Sequence, residues 1–354
     1  MLNLKVGETA MSYDNGKIKI TYERLAEHMI KDVMQITDME YQESGYKIGN
    51  EPPKDGWMDF PVNTRIGGAE KHFWFKAKFK TPPADENCYL ILTCKTGRED
   101  EWNGRNPQCL LYLNGEMVQG FDTNHTDTFL EPDTEYELYN YLYTASLDDM
   151  PNYKLIDHIL NVKSVNKRIE KLYYDIRVPY ECCLMLNENT SEYIDTMSAL
   201  VQTANRIDFR APFSKEYFDS IEAAIDFIET EFYSKMCTPE GKPLVNCIGH
   251  SHIDVEWLWT RYQTREKIQR TTATVLTLMK KYPEFKFMLT QPNLYEYLME
   301  EAPEVYQKVK EAVKAGRWEP EGAMYVESDC NLVSGESLVR QKCKTSYSPK
   351  HIME

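Results

Sequence analysis

The hydrophobic period of this chain changes twice, and that constrains its fold more than any other feature. In Phe73-Trp74-Phe75-Lys76-Ala77-Lys78-Phe79-Lys80, apolar and lysine positions alternate, the period-two mark of a strand with one face in a core. Tyr89-Leu90-Ile91-Leu92-Thr93-Cys94 is an apolar run of strand length. Leu111-Tyr112-Leu113 and Met117-Val118 flank Asn114-Gly115, and Asn-Gly between apolar runs is the strongest short hairpin signal. With Gly and Pro punctuating the surroundings, residues 41–150 read as a small antiparallel β-sandwich.

Residues 18–37 read as a helix, with Leu25, Met29 and Val33 at steps of four, so 1–40 is expected to be a helical lead-in. From 151 to 240 the period is helical again. Leu155, Ile159, Val162, Ile169, Leu172 and Ile176 form one stripe, and Ile221, Ala224, Ile225, Ile228 and Phe232 another. Pro179 and Pro212 are expected to punctuate these helices, and the block reads as a helical linker.

After Gly241-Lys242-Pro243 the texture changes once more. Leu244–Ile248 reads as a buried strand, 262–281 as an amphipathic helix and Phe285–Leu289 as a second strand. Helices follow at 293–300 and 304–315, Gly316 stops the latter, and Trp318–Val326 reads as a third strand. Strands alternating with helices imply a parallel sheet covered by helices, open or closed into a barrel. The expected fold class is therefore multidomain α and β: a β-sandwich leader, a helical linker, then the first strands and helices of an α/β domain.

Charge narrows the partners. Asp and Glu total 56 against 41 Lys and Arg, a formal net charge of −15. A field of that sign repels phosphate backbones and anionic headgroups, so neither nucleic acid nor a membrane is expected as a partner. The first twenty residues show no secretory signal, and no apolar run approaches the ~20 residues of a membrane span. The 9 cysteines are odd in number and lack framework spacing. They read as reduced thiols in a cytoplasmic protein. The sequence leaves homo-oligomerisation open.

The densest chemistry is Gly249-His250-Ser251-His252-Ile253-Asp254-Val255-Glu256-Trp257-Leu258-Trp259, directly after the first strand of the α/β block. Sites in α/β folds lie beyond the carboxyl ends of strands. In an extended segment alternate residues share a side, so His250, His252 and Asp254 can converge on one point. Imidazole nitrogen and carboxylate oxygen suit a divalent ion such as Zn²⁺. The competing reading is two solvent-facing histidines and a capping Asp. Three side chains alone would also leave a zinc site incomplete.

The run from Gly249 through Leu298, followed by GRWEPEGAMYVESDCNLVSGESLVRQ, resembles the start of the catalytic domain of the family 38 α-mannosidases, in their cytosolic and bacterial branch. WFKAKFKTP, LYLNGEMVQGFDTNH and EKLYYDI resemble that branch's β-rich leader and linker, so the likeness extends over about residues 20–341. The resemblance implies a retaining exo-α-mannosidase acting on mannose-containing oligosaccharides, with a divalent metal, Zn²⁺ or alternatively Co²⁺, under the sugar. It implies His252 and Asp254 as metal ligands and Trp257 as the aromatic face against the mannose ring. His250 would support the ligands from behind, and Asp329 would line the sugar pocket or serve as a turn residue. Asp122, Asn124 and His125 belong to the leader motif, more as a structured loop than as part of the pocket.

Retaining hydrolysis needs two carboxylates about 5–5.5 Å apart. The family's nucleophilic Asp lies in Trp-x-Pro-Asp-x-Phe-Gly, and a further ligand is a distant His. The 354 residues contain neither motif. Residues 241–341 therefore read as the N-terminal part of the barrel-like catalytic domain and 342–354 as an atypical tail. The expectation is a truncated chain, inactive alone, holding its metal weakly. The alternatives are a non-catalytic carbohydrate-binding protein using the sandwich, a fragment with no function of its own, and a metal-dependent deacetylase or phosphoesterase. The last would need a further His pair such as His-x-x-x-His.

Overall fold

The computed structural model describes residues 6–46, 51–97, 107–144, 156–237, 244–322 and 324–344. Two antiparallel sheets form the sandwich. One has four strands in the order β1 (Ile30–Ile36), β10 (Ile159–Asn166), β5 (Cys88–Lys95), β8 (Asp127–Leu130). The other has six, in the order β3 (Met58–Asp59), β2 (Met39–Ser44), β4 (His72–Lys80), β9 (Glu135–Tyr143), β6 (Gln108–Leu113), β7 (Glu116–Phe121). Phe73, Phe75 and Ala77 of β4 meet Leu90, Leu92 and Cys94 of β5 in the space between them. The Asn114-Gly115 turn joins β6 to β7 with both residues at positive φ, 51° and 81°, the conformation that matches the twist of paired strands.

The outer face of the six-stranded sheet is also covered. Trp74, Leu110 and Tyr141 pack into a second core with the α/β segment. That is why Trp74 is buried although it stands on the lysine side of the β4 alternation.

Two elements depart from the helical expectation. Helix α1 (Val6–Met29) ends at Met29, and 30–36 is strand rather than helix. Ile159 and Val162 likewise belong to strand β10, while Leu155 lies outside the described residues. Spacings of three and four fitted both segments to a helix, but Leu160 and Val162 bury one side of β10, and β1 pairs along it. Tertiary pairing overrides local pattern here.

The helical layer contains α2 (Lys167–Cys183), α3 (Ser191–Ala204) and α4 (Lys215–Ile228), packed with α1. Asn166, Thr190 and Ser214 cap the three N-termini through their side-chain oxygens. A π-turn, Glu229–Tyr233, leads into the single turn α5 (Ser234–Met236). Pro179 does not break a helix as expected but sits inside α2.

In the last segment β11 (Gly249–His250), β12 (Phe287–Leu289) and β13 (Trp318–Pro320) form a parallel sheet in that order. Between them run α6 (Arg261–Lys281), α7 (Pro292–Glu301) and α8 (Pro303–Lys314), and α9 (Gly335–Lys344) follows. Gly316 ends α8 at φ 66°. The strands are shorter than expected. Leu244, Val245 and Ile248 are not a buried strand but are 86%, 75% and 58% exposed, and no described element covers them. Beyond Pro320 the chain leaves the sheet. Of the expected tail, residues 345–354 lie outside the described residues, His351 among them.

Candidate active site

The site lies where all three parallel strands end. Gly249 opens it and lets the backbone pass close to Phe285: a Cβ there would lie 2.7 and 2.8 Å from atoms of the Phe285 ring, which would have to shift. Ile253 turns into the core, which leaves its neighbours His252 and Asp254 half-exposed and close together. His252 Nε2 is 3.1 Å from Asp254 Oδ1, and His252 Nδ1 is 2.8 Å from Glu327 Oε2.

Buried Gln291, at φ 66°, fastens these segments to one another. Its Nε2 donates to the Ile253 carbonyl at 2.8 Å, and its Oε1 accepts the Glu327 N–H at 3.1 Å. One residue after β12 thus fixes both the His252 strand end and the Glu327 loop. Neither Gln291 nor Glu327 was identified from sequence. Glu327 stands two residues before Asp329, in the same short acidic run.

Partial burial opposes charge on His252, but the bonds and charges of Asp254 and Glu327 outweigh it and hold its pKa above the ordinary 6.5. The donor set also fits a zinc ion. With Nδ1–H donated to Glu327, the Nε2 lone pair faces Asp254, the carboxylate-to-histidine arrangement that orients metal ligands. Two ligands of one tetrahedral zinc lie about 3.3 Å apart, given Zn–N and Zn–O bonds near 2.0–2.2 Å. The 3.1 Å between Nε2 and Oδ1 matches that.

The other expected residues are placed as follows. Trp257 is 55% exposed and meets Trp259 edge to face, with centroids 5.4 Å apart. His250 makes no hydrogen bond to His252 or Asp254 among the described residues and instead lines the adjoining cavity. Asp329 closes a local turn: its Oδ1 accepts the Asn331 N–H at 2.8 Å, and its carbonyl accepts from Leu332 and Val333.

The cavity, about 470 Å³, lies between the sandwich and the α/β segment, and Asp122 and His125 line it together with His250, His252, Lys267 and Arg270. The leader loop therefore lines this cavity, whose lining does not include Asp254, Trp257 or Asp329. Asp122 Oδ1 accepts from the backbone of Asn124 and His125 and lies 3.0 Å from His125 Nδ1. Burial raises the Asp122 pKa, but these bonds together bring it below the ordinary value, and the bond to Asp122 raises that of His125. Burial beside Arg270 pushes Lys267 down to about 7.

Residues 242–347 match the model of the glycosyl hydrolases family 38 N-terminal domain. This chain is similar to the family 38 glycosyl hydrolases over that segment. It is 27% identical over 311 residues to alpha-mannosidase G of Dictyostelium discoideum, which covers 80% of this chain and 26% of that protein. It is 37% identical over 128 residues to the alpha-mannosidase of Saccharomyces cerevisiae, 36% of this chain and 11% of that one. It is 38% identical over 102 residues to alpha-mannosidase 2C1 of Homo sapiens, 29% of this chain and 10% of that one. The chain thus spans about a quarter or less of the length of these relatives.

Within the family 38 segment lie His252, Asp254, Trp257, Gln291, Glu327 and Asp329. Asp122 and His125 come from the sandwich outside it. No described helix is long and apolar enough to cross a membrane.

Proposed function

We propose that the family 38 segment binds a mannoside through a divalent metal and forms part of the site of a retaining α-mannosidase for terminal α-mannosyl residues of oligosaccharides. The observation that carries this reading is His252, with Nε2 facing Asp254 at 3.1 Å and Nδ1 held by Glu327 at 2.8 Å. The relatives' names supply the activity.

His252 and Asp254 would hold Zn²⁺, with Co²⁺ as the alternative. When bound, the ion would act as a Lewis acid that orients the vicinal sugar hydroxyls. This chain's own residues do the rest. Glu327 fixes the imidazole tautomer, and Gln291 sets the distance between the ligand-bearing segment and the Glu327 loop. Trp257 offers an apolar face to the ring, Asp329 holds the turn that follows Glu327, and His250 lines the cavity beside the ligands. The reading places the protein in the cytoplasm. Without the Trp-x-Pro-Asp-x-Phe-Gly motif these 354 residues supply no nucleophile, and two ligands hold the metal weakly.

The test uses the purified 354-residue chain. Calorimetry with mannose and Zn²⁺ should show weak binding that Asp254→Ala or chelation removes, with no p-nitrophenol released from its α-mannoside. Release that Asp254→Ala abolishes would overturn the inactivity. Mannose binding that survives both chelation and Asp254→Ala would overturn the metal-centred site in favour of a carbohydrate-binding sandwich.

A further inference from the structure

The sandwich core holds a cluster of side chains of metal-ligating type that the mannosidase reading does not use. Cys94 on β5, Cys109 on β6 and His158, just ahead of β10, are all buried, and their donor atoms lie within 4.8 Å of one another. Cys94 Sγ is 3.9 Å from His158 Nδ1. No disulfide links the two cysteines. The donors come from both sheets, so the cluster spans the sandwich core.

We propose that Cys94, Cys109 and His158 bind one Zn²⁺ that ties the two sheets of the sandwich together. Zinc with two thiolates and one imidazole sets its donors about 3.6–3.8 Å apart, so contraction of at most about 1.2 Å from the observed spacing brings all three into zinc range, with the fourth position left to water. The charge balance suits the place. Binding releases one proton from each thiol, and Zn²⁺ with two thiolates and a neutral imidazole carries no net charge. An uncompensated ion would not survive in this apolar core.

His158 is prepared for the role. Complete burial drives its pKa down to about 3, so the ring is neutral. It stacks on Phe75 with centroids 3.8 Å apart, which fixes its plane. Asn140 on β9 stands beside both His158 and Cys94, with Nδ2 3.4 Å from His158 Nε2 and 4.0 Å from Cys94 Sγ, while the Asn140 Oδ1 is buried without a hydrogen-bond partner among the described residues. Turning that amide over gives up the contact to Cys94 and sets Oδ1 to accept Nε2–H. The lone pair then lies on Nδ1, the nitrogen that faces Cys94. Asn140 is thus a positioning residue for the imidazole. The cluster shares no residue with the site at His252 and Asp254.

The experiment loads Co²⁺, as a probe for Zn²⁺, during folding, because the closed core admits no ion afterwards. The 354-residue chain carries Cys182→Ser, Cys237→Ser, Cys247→Ser and Cys330→Ser, which removes the exposed thiols among the described residues, Cys343→Ser, and His252→Ala, which disables the other site. One equivalent of cobalt should give a thiolate-to-cobalt charge-transfer band, and X-ray absorption should count two sulfurs and at least one nitrogen. Cys109→Ser should abolish the band, and Asn140→Ala should weaken cobalt retention several-fold. No band in the folded variant, or a cobalt shell without sulfur, would overturn the proposal. So would a band unchanged by Cys109→Ser. The X-ray count needs no core substitution, so a misfolded Cys109→Ser protein leaves the test intact.

Discussion

His252 Nδ1 lies 2.8 Å from Glu327 Oε2 across 75 residues of sequence. With Asp254 on the other ring nitrogen, the imidazole is held between two carboxylates. In the metal-free protein the ring should therefore titrate above 6.5. Because the folded pKa exceeds the unfolded one, the stabilising contribution is full at low pH and fades as pH rises through the folded value. The group is half-exposed, so the effect on stability is small. Proton NMR in EDTA should show the His252 resonance moving to lower pKa in Glu327→Ala. An unchanged midpoint would mean that the contact does not form in solution.

The same contact governs metal affinity. Removing a partner that orients a ligating histidine typically costs 10–100-fold. Glu327→Ala should thus weaken zinc binding at His252 by about that factor, read by competition with a chromophoric chelator. Glu327→Gln keeps an acceptor for Nδ1–H and should lose less. Equal losses in the two variants would point to general disruption of the loop.

Helix α6 lies on β7, the last strand of the six-stranded sheet, where the Gly120 N–H donates to Thr274 Oγ1 at 3.1 Å. A Cβ on Gly120 would stand 2.6 Å from Arg270 Cβ and 3.1 Å from its Cα. Backbone must then move, so Gly120→Ala should cost about 1–3 kcal/mol or more by overpacking. Gly115, in the hairpin turn, has open space around it but φ of 81°. Gly115→Ala should cost only the left-handed penalty, about 1 kcal/mol. Urea unfolding of the two variants separates the causes, and a larger loss at Gly115 would contradict this ranking.

Much of the architecture was legible where local pattern and tertiary environment agree. The Phe73–Lys80 alternation and the Asn114-Gly115 hairpin are such places, and α6, α7 and α8 fall close to their expected bounds. The misread segments share one cause, that pairing and cover are non-local. Val33 and Val162 sit in strands because β1 and β10 meet each other. Leu244, Val245 and Ile248 form an apolar run that no described element covers. The candidate site shows the same division. His252 and Asp254 come together because they share an extended segment, as their spacing implied. Glu327 and Gln291 join them only through the return of the chain after β12 and β13, which no spacing discloses.

The contact face of α6 is polar, and this gives a pH signature. Glu266 is fully buried, accepts from Tyr141 Oη at 2.7 Å and lies 3.6 Å from Arg270 Nη1. Burial raises its pKa from 4.5 to about 7 despite Arg270 and Tyr141. A carboxyl with a raised folded pKa binds its proton more tightly when folded, so its contribution is most favourable below pH 4.5 and is lost as pH rises through about 7. The span corresponds to on the order of 3 kcal/mol. Glu266→Gln, uncharged at every pH, should lack that slope. Denaturant unfolding of both proteins across this range should show the variant's relative stability improving as pH increases, then levelling off above neutrality. A stability difference independent of pH would show that Glu266 stays ionised throughout, held by Arg270.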